Sequence, residues 1–365
     1  MDDTEQKCVY VVGAGYSKAL GYPLTSELLL QLWNQIEEDP KFKEELGRII
    51  RFHHPRFNCC KAGSFPNVEE LLSEMVVNEE LYASSRRYPG KFTKKDLQRL
   101  KQTLLMKISY WFHAISGEIN LSEPSIPWLN EFHDRVRREK AVIISFNWDL
   151  ILDRLLFGSN LDEASYGFSK ESPEGPILLK PHGSLNWFES DPGRFIEDSE
   201  SFPLFEKKNR PRATVYAFRK FRGPKTKHDR EYTPLIIPPV YLKKFAQPIF
   251  RELWQKCTSW LSNAKKVFFL GYSLPEADYH ARFILRCGFH NQTEGELDKR
   301  NRRKIPTGPA EVIIVNPDCE AARRIEESVS PGHKCRWFPT PIEDADLRWD
   351  LPSLGLHPNH SRKMM

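Results

Sequence analysis

Val9-Tyr10-Val11-Val12-Gly13-Ala14-Gly15-Tyr16-Ser17-Lys18-Ala19-Leu20-Gly21-Tyr22-Pro23 is the stretch on which the fold of this 365-residue chain turns. Val9 to Val12 form a short β-branched apolar run, of the kind that fills a parallel sheet buried on both faces. The run breaks at once into Gly-Ala-Gly, where backbone can turn sharply and approach a ligand with no Cβ in the way. The residues after it predict a helix, whose first N–H groups and positive dipole end would form a phosphate site. Strand, glycine turn and helix together predict a dinucleotide cradle. A tight turn chosen only for close strand–helix packing is the plainer alternative. The usual dinucleotide fingerprint has a third glycine three residues after the second. Here Lys18 holds that place, and the next glycine is Gly21, followed by Pro23.

Four more apolar runs end in small or polar residues. Ala141-Val142-Ile143-Ile144 delivers Ser145-Phe146-Asn147-Trp148-Asp149, and Ile177-Leu178-Leu179 delivers Lys180-Pro181-His182-Gly183-Ser184. Val267-Phe268-Phe269-Leu270 ends in Gly271-Tyr272-Ser273-Leu274-Pro275, and Val312-Ile313-Ile314-Val315 ends in Asn316-Pro317-Asp318. Open α/β sheets bind ligands outside the carboxyl ends of their strands, and this repeated strand-then-polar pattern is how such a crevice looks in sequence.

These segments resemble the sirtuins. Gly13-Ala14-Gly15-x-Ser17-x-x-x-Gly21-x-Pro23 matches their first motif, Asn147-x-Asp149 their Asn-x-Asp, and His182-Gly183 their His-Gly. Gly271-x-Ser273-Leu274 looks like their ribose-binding turn, and Val315-Asn316 like their last adenosine-side strand. The motifs are collinear and span residues 9 to 318. Two departures matter. Leu24-Thr25-Ser26 stands where protein-deacylating sirtuins carry Asp-Phe-Arg, and none of the seven cysteines forms the paired Cys-x-x-Cys of their zinc module. The pattern is similar instead to the zinc-free, sirtuin-like NAD hydrolases of bacterial anti-phage defence. Asp278 and His280, following Gly271-Tyr272-Ser273-Leu274-Pro275, fit that branch.

Composition agrees. Hydrophobic residues at 40% and aromatics at 12% belong to a globular chain with a sizeable core. No apolar run reaches membrane-spanning length. The acidic start Met1-Asp2-Asp3-Thr4-Glu5 lacks the features of a signal peptide, and an odd number of cysteines without an export signal predicts reduced thiols and a cytoplasmic location.

Two insertions interrupt the motif-bearing core. Between about 27 and 130 the chain predicts helices. Val68, Leu71, Leu72 and Met75 share one face, and Thr93 with Asp96 marks a helix start. After it, Leu97, Leu100, Leu104, Ile108, Trp111, Phe112, Ile115 and Ile119 recur as a core stripe. From about 185 to 232 lies a basic insertion with ten Lys or Arg against one acid between Lys207 and Arg230, and the alternation Val215-Tyr216-Ala217-Phe218 predicts a short strand or hairpin arm. A smaller basic patch runs from Lys299 to Lys304. Such runs read first as solvated loop, with an acidic protein surface and then nucleic acid as alternatives. The expected organisation is one catalytic domain over 1–350 and a tail over 351–365.

The fold class expected is α/β, a Rossmann-like parallel sheet of sirtuin type with an inserted helical lobe and no zinc module. The resemblance implies NAD+ as substrate, split by water into nicotinamide and ADP-ribose. Asn147 offers an amide to orient water or ribose, Asp149 a hold on the nicotinamide carboxamide, an electrostatic partner or a helix cap, and His182 a bond to a ribose hydroxyl and a general base near neutral pH. Gly13, Ala14, Gly15, Ser17, Gly21 and Pro23 would bind the cofactor at the pyrophosphate side, and Gly271, Ser273, Asn316 and Asp318 at the adenosine side. Asp318 is equally placed to cap a helix from Cys319. No metal is expected, since Asp278, His280 and His290 make no ligand set with any cysteine. The resemblance further implies a homo-oligomer gated by a partner, a separately encoded DNA-translocase ATPase or an Argonaute-like protein, because no segment reads as a fused sensor. A sirtuin-type deacylase and a non-catalytic NAD or ADP-ribose sensor remain the rival readings. In a sensor, Asn147 and His182 need not sit together.

Overall fold

A computed structural model describes residues 8–81, 92–119, 121, 126–169, 175–189, 201–205, 215–219, 234–237, 248–297, 302 and 305–345. From the amino terminus, β1 (Cys8–Val12) leads into α1 (Ala14–Lys18), α2 (Thr25–Gln35), α3 (Pro40–His53), α4 (Val68–Leu81), α5 (Lys94–Glu118) and α6 (Pro127–Arg138). Next come β2 (Val142–Ser145), α7 (Ile151–Leu156), β3 (Ile177–Leu179), β4 (Trp187–Glu189), β5 (Ser201–Phe205) and β6 (Val215–Phe218). The chain closes with α8 (Pro248–Asn263), β7 (Lys266–Leu270), α9 (Tyr279–Glu294), β8 (Glu311–Val315), α10 (Cys319–Glu326) and β9 (Lys334–Phe338).

Six strands form one sheet in the order β3-β2-β1-β7-β8-β9, every neighbouring pair parallel. Counted within this sheet the order is 3-2-1-4-5-6, that of doubly wound dinucleotide-binding domains. The direction of winding reverses between β1 and β7, and that is where such sheets leave a crevice. Val9 pairs with Val142 on one side and Val267 on the other, so each strand end delivers its polar residues to the same edge. All of Val9 to Val12 are buried, as the unbroken β-branched run predicts for a strand covered on both faces. Tyr10 fixes the covering layer. Its ring stacks on Phe268 at 4.6 Å and meets Phe132 of α6 edge-on, while its hydroxyl donates to Glu139 at 2.6 Å.

Helices α2 to α5 form the inserted lobe. The predicted start of α5 is a reciprocal capping box: Thr93 Oγ1 accepts the Asp96 N–H at 3.1 Å, and Asp96 Oδ2 accepts the Thr93 N–H at 2.9 Å. Leu97, Leu100, Leu104, Ile108 and Phe112 are buried along its inner face, with Trp111 and Ile115 packed at the margin.

The structure departs from the sequence expectations in three places. The helix after the glycine turn has only five residues, too short to carry the dipole expected of it. Val215–Phe218 is a strand, but all four residues are buried rather than alternating, because β6 is the centre of a three-stranded antiparallel sheet, β4-β6-β5. A sixth parallel strand, β9, went unpredicted because Lys334-Cys335-Arg336-Trp337-Phe338 is a half-exposed edge strand with no apolar run. The basic run Lys207–Arg230, apart from 215–219, lies outside the described residues, as do most of the Lys299–Lys304 patch and the tail. No helix among the described residues is long and apolar enough to cross a membrane.

Candidate active site

The crevice at the strand ends holds two contiguous chambers. The outer one, about 1060 Å³, lies between the ends of β1, β7 and β8 and the α3–α4 wall of the lobe. The inner one is small, about 80 Å³, and reaches Asn147, Asp149 and His182. Ala14, Thr25, Glu69, Ser273 and Pro275 line both, so the second opens from the first.

Close packing of two turns makes the crevice. A Cβ on Gly15 would lie 2.8 Å from the Gly271 Cα, and one on Gly271 would lie 2.4 Å from the Tyr16 nitrogen. Gly271 also has φ +58°, a left-handed conformation that glycine adopts without strain. The Gly15 N–H donates to the Gly271 carbonyl at 2.8 Å. The amide expected to cradle phosphate is therefore spent on joining β1 to β7, and the glycines serve backbone approach within the protein. Leu274, three residues on, holds φ +46° without being glycine, so this turn is strained where it lines the site.

Ser17 is the hub of the inner chamber. Its hydroxyl accepts from Asn147 Nδ2 at 2.8 Å and donates to Asp149 Oδ2 at 2.7 Å. Asn147 Nδ2 also donates to the Gly13 carbonyl at 2.9 Å, so both amide protons are committed and Oδ1 is the group's remaining hydrogen-bonding capacity. Asp149 Oδ1 accepts the Ile151 N–H at 3.0 Å, a turn just ahead of α7, whose N-cap is Leu150, while Oδ2 faces Ser17. Burial pushes its carboxyl above the ordinary range, opposed by the charge of Lys180 and by the bonds from Ser17 and Ile151.

Lys180 joins the two polar loops from beneath. Its ammonium donates to the Asp149 carbonyl at 2.6 Å, Ser184 Oγ at 2.7 Å and Asp153 Oδ2 at 3.0 Å. Asp153 in turn accepts from the Tyr166 hydroxyl, and Asn186 donates to that hydroxyl at 3.0 Å. His182 sits above this network. Its backbone carbonyl accepts from Ile237 at 2.7 Å, and its ring meets Phe146 edge-on at 4.9 Å. Phe146 stacks on Tyr272 at 4.5 Å, closing the floor across the β1/β7 junction. Gly183 follows with φ +80°, and a Cβ there would fall 2.1 Å from the Leu235 carbonyl oxygen.

The structure thus brings Ser17, Pro23, Asn147, Asp149 and His182 around the inner chamber, with Gly13, Ala14 and Ser273. Ala14, Gly15, Gly271, Ser273, Asn316 and Asp318 line the outer one, and Gly21 lines neither. Asn316 is occupied structurally, donating to the Tyr272 carbonyl at 3.0 Å and accepting the Asp318 N–H at 2.9 Å. Asp318 caps α10 through the Glu320 N–H at 2.9 Å, the alternative its position left open. Four site residues escaped the sequence reading. Asp278 lies 2.9 Å from His182, and Lys180 braces both loops. Lys18 and Arg324 are the fixed cations of an outer chamber otherwise rich in carboxylates. Lys18 and Lys180 stand within quoted segments, Asp278 just after one and Arg324 in α10, and nothing local in sequence marks which charges will be buried or face a cavity. Among the described residues a His54–Glu70–Glu74 cluster in the lobe brings one ligand atom from each within 4.8 Å.

Protein-family models and curated proteins gave no match to this sequence. Among solved structures, the chain is similar to a Sir2 homologue mutant in complex with 2′-O-acetyl ADP ribose. The TM-score is 0.42 and the identity 13%, covering 94% of this chain and 93% of that one. It is also similar to a structure described for the mechanism and regulation of Sir2 enzymes, at TM-score 0.40 and 13% identity over 92% and 88% of the chains. Sir2 bound to acetylated peptide follows at TM-score 0.36 and 11% identity over 92% and 89%. The α/β fold class stands on the strand order and register of the chain itself, six parallel strands reversing direction at β1/β7.

Proposed function

We propose that the chain is a NAD+ glycohydrolase that splits NAD+ with water into nicotinamide and ADP-ribose. The observation that carries this reading is the meeting of Asn147, Asp149 and His182 around one small chamber, opening from a larger one at the sheet's switch point. A sensor has no need of that convergence. NAD+ would lie in the outer chamber and present its nicotinamide–ribose bond at the opening of the inner one, with Lys18, paired to Glu27 at 2.9 Å, and Arg324 supplying positive charge near the pyrophosphate.

In the reaction the bond from ribose C1′ to the pyridinium nitrogen breaks, and its electron pair leaves with neutral nicotinamide. Positive charge spreads over C1′ and O4′, and the oxygen of water bonds to C1′. Asn147 Oδ1 accepts a hydrogen bond from that water or from a ribose hydroxyl. His182 takes the proton the water loses, a contribution of roughly 10²–10⁴-fold. Asp149, held by Ser17, biases the site electrostatically toward the cationic sugar. Exclusion of bulk water by Phe146, Tyr272 and Trp148 strengthens each of these interactions.

Resemblance to defence NADases supports a role in NAD+ depletion on infection, within a homo-oligomer gated by a DNA-translocase ATPase or an Argonaute-like partner. The size of the outer chamber favours one second reading, a deacylase that admits an acylated peptide beside the nucleotide. Incubation with NAD+, with and without an acetyl-lysine peptide, separates the two. The proposal expects nicotinamide and ADP-ribose without peptide. Nicotinamide release that depends on peptide would overturn it.

A further inference from the structure

Asp278 lies outside every motif that carries the proposed chemistry, yet it is the group closest in charge to His182. It begins α9, just beyond the Gly271–Pro275 turn, and its side chain is divided between two tasks. Oδ1 accepts the Ala281 N–H at 3.1 Å and so caps the helix. Oδ2 stands 2.9 Å from His182 Nε2, with the two side chains 0% and 4% exposed. Capping engages only Oδ1, so it does not account for Oδ2 standing against an imidazole. A carboxylate taken wholly out of water needs a compensating partner, and here it comes from a different element, the loop after β3. Both residues line the inner chamber.

We propose that Asp278 is the positioning residue of His182. The 2.9 Å contact is a charge contact rather than an aligned hydrogen bond, and a carboxylate at that distance favours a proton on Nε2, which leaves the basic lone pair on Nδ1. When His182 takes a proton at Nδ1 from water, the imidazolium forms against the Asp278 carboxylate. Asp278 thus couples the turn after β7 to the loop after β3 and acts on the reaction through the imidazole. The inference rests on the hydrolase reading and deepens it.

The test uses Asp278→Ser and Asp278→Asn in the full chain. Both replacements cap helices as well as Asp does, so the α9 start is kept while the carboxylate is lost. For Asp278→Ser we expect a fall in kcat of about 10²-fold with KM for NAD+ within about threefold, and no further fall when His182→Ala is already present. Asp278→Asn should follow the same pattern. Wild-type kcat in both variants, or a loss that persists undiminished in the His182→Ala background, would overturn the proposal. Nitrogen-15 spectra of histidine-labelled chain provide a readout independent of turnover. The signal that disappears in His182→Gln should report an Nε2-protonated ring in wild type and change its protonation pattern in Asp278→Ser. A His182 signal that is Nδ1-protonated in wild type, or identical in the variant, would also overturn it. If no chain releases nicotinamide, the hydrolase reading fails while these spectra still decide the pairing.

Discussion

Replacing Lys180 by Met should loosen the site from below, and the structure sets the size of the effect. The Lys180 and Asp153 side chains are 1% and 3% exposed and 3.0 Å apart. Removing one partner of a pair this buried leaves the other charge without compensation, at a cost of about 3–5 kcal/mol. Unfolding entropy near 2.1 cal/mol/K per residue amounts to about 0.8 kcal/mol/K for 365 residues. Lys180→Met should therefore lower Tm by about 4–6 °C in calorimetry. Adding Asp153→Asn removes the stranded charge while keeping an acceptor for the Tyr166 hydroxyl, so the double variant should recover about half of that loss. The bonds from Lys180 to the Asp149 carbonyl and Ser184 also tie together the loops bearing Asn147 and His182. Nicotinamide release should accordingly fall about tenfold even at temperatures where the variant is fully folded. A Tm within 1 °C of wild type for Lys180→Met, or a double variant that loses the sum of two single losses, would refute this account of the ion pair.

Three further outcomes follow from the same geometry. Ser17→Ala strips a donor from the buried Asp149 carboxyl and an acceptor from Asn147, so it should cost about 1–3 kcal/mol in denaturant unfolding and reduce turnover at least about tenfold; unchanged turnover would show that Ser17 orients nothing. Gly15→Val places its Cβ against backbone atoms of Gly271 that cannot swing aside, so ligand-free chain should lose about 1–3 kcal/mol or more, and an unaltered melting curve would contradict the turn packing. Burial, with the charge of His54 beside it, pulls the His53 imidazole from 6.5 to about 4. The unfolded chain binds that proton below about 6.5 and the folded chain only near 4, so this stability is full above 6.5 and lost as pH falls toward 4. Allowing for a half-buried ring, the loss is on the order of 1–2 kcal/mol, and wild type should lose about 2 °C more than His53→Gln between pH 7 and 4.5; equal losses would refute it.

The sheet was legible because its central strands are buried on both faces. That demand writes itself into sequence as an unbroken β-branched run, and Val9–Val12, Val142–Ile144 and Val312–Val315 all sit where the runs place them. Strand β9 has one free edge, carries Lys334 and Arg336, and so leaves no such mark. Asn147, Asp149 and His182 were legible for a related reason, since each lies within four residues of a strand end. Their partners were not. The Ser17 hub, the Lys180 brace and the Asp278 contact depend on side chains from elements up to 132 residues apart, a closeness that only the folded register creates. The partner of the glycine turn was not legible, because Gly-Ala-Gly permits close approach without stating to what. Here the nearest backbone is that of Gly271.

The central claim is that the chamber around Asn147 and His182 breaks the bond between nicotinamide and ribose. Chromatographic analysis of NAD+ incubated with purified chain, at protein concentrations high enough to favour self-association, tests it most directly. The account predicts nicotinamide and ADP-ribose in equal amounts, with release at least about 10²-fold slower in His182→Ala and Asn147→Ala chains that melt like wild type. NAD+ that binds by calorimetry yet stays intact, or turnover within about threefold of wild type in either variant, would contradict it.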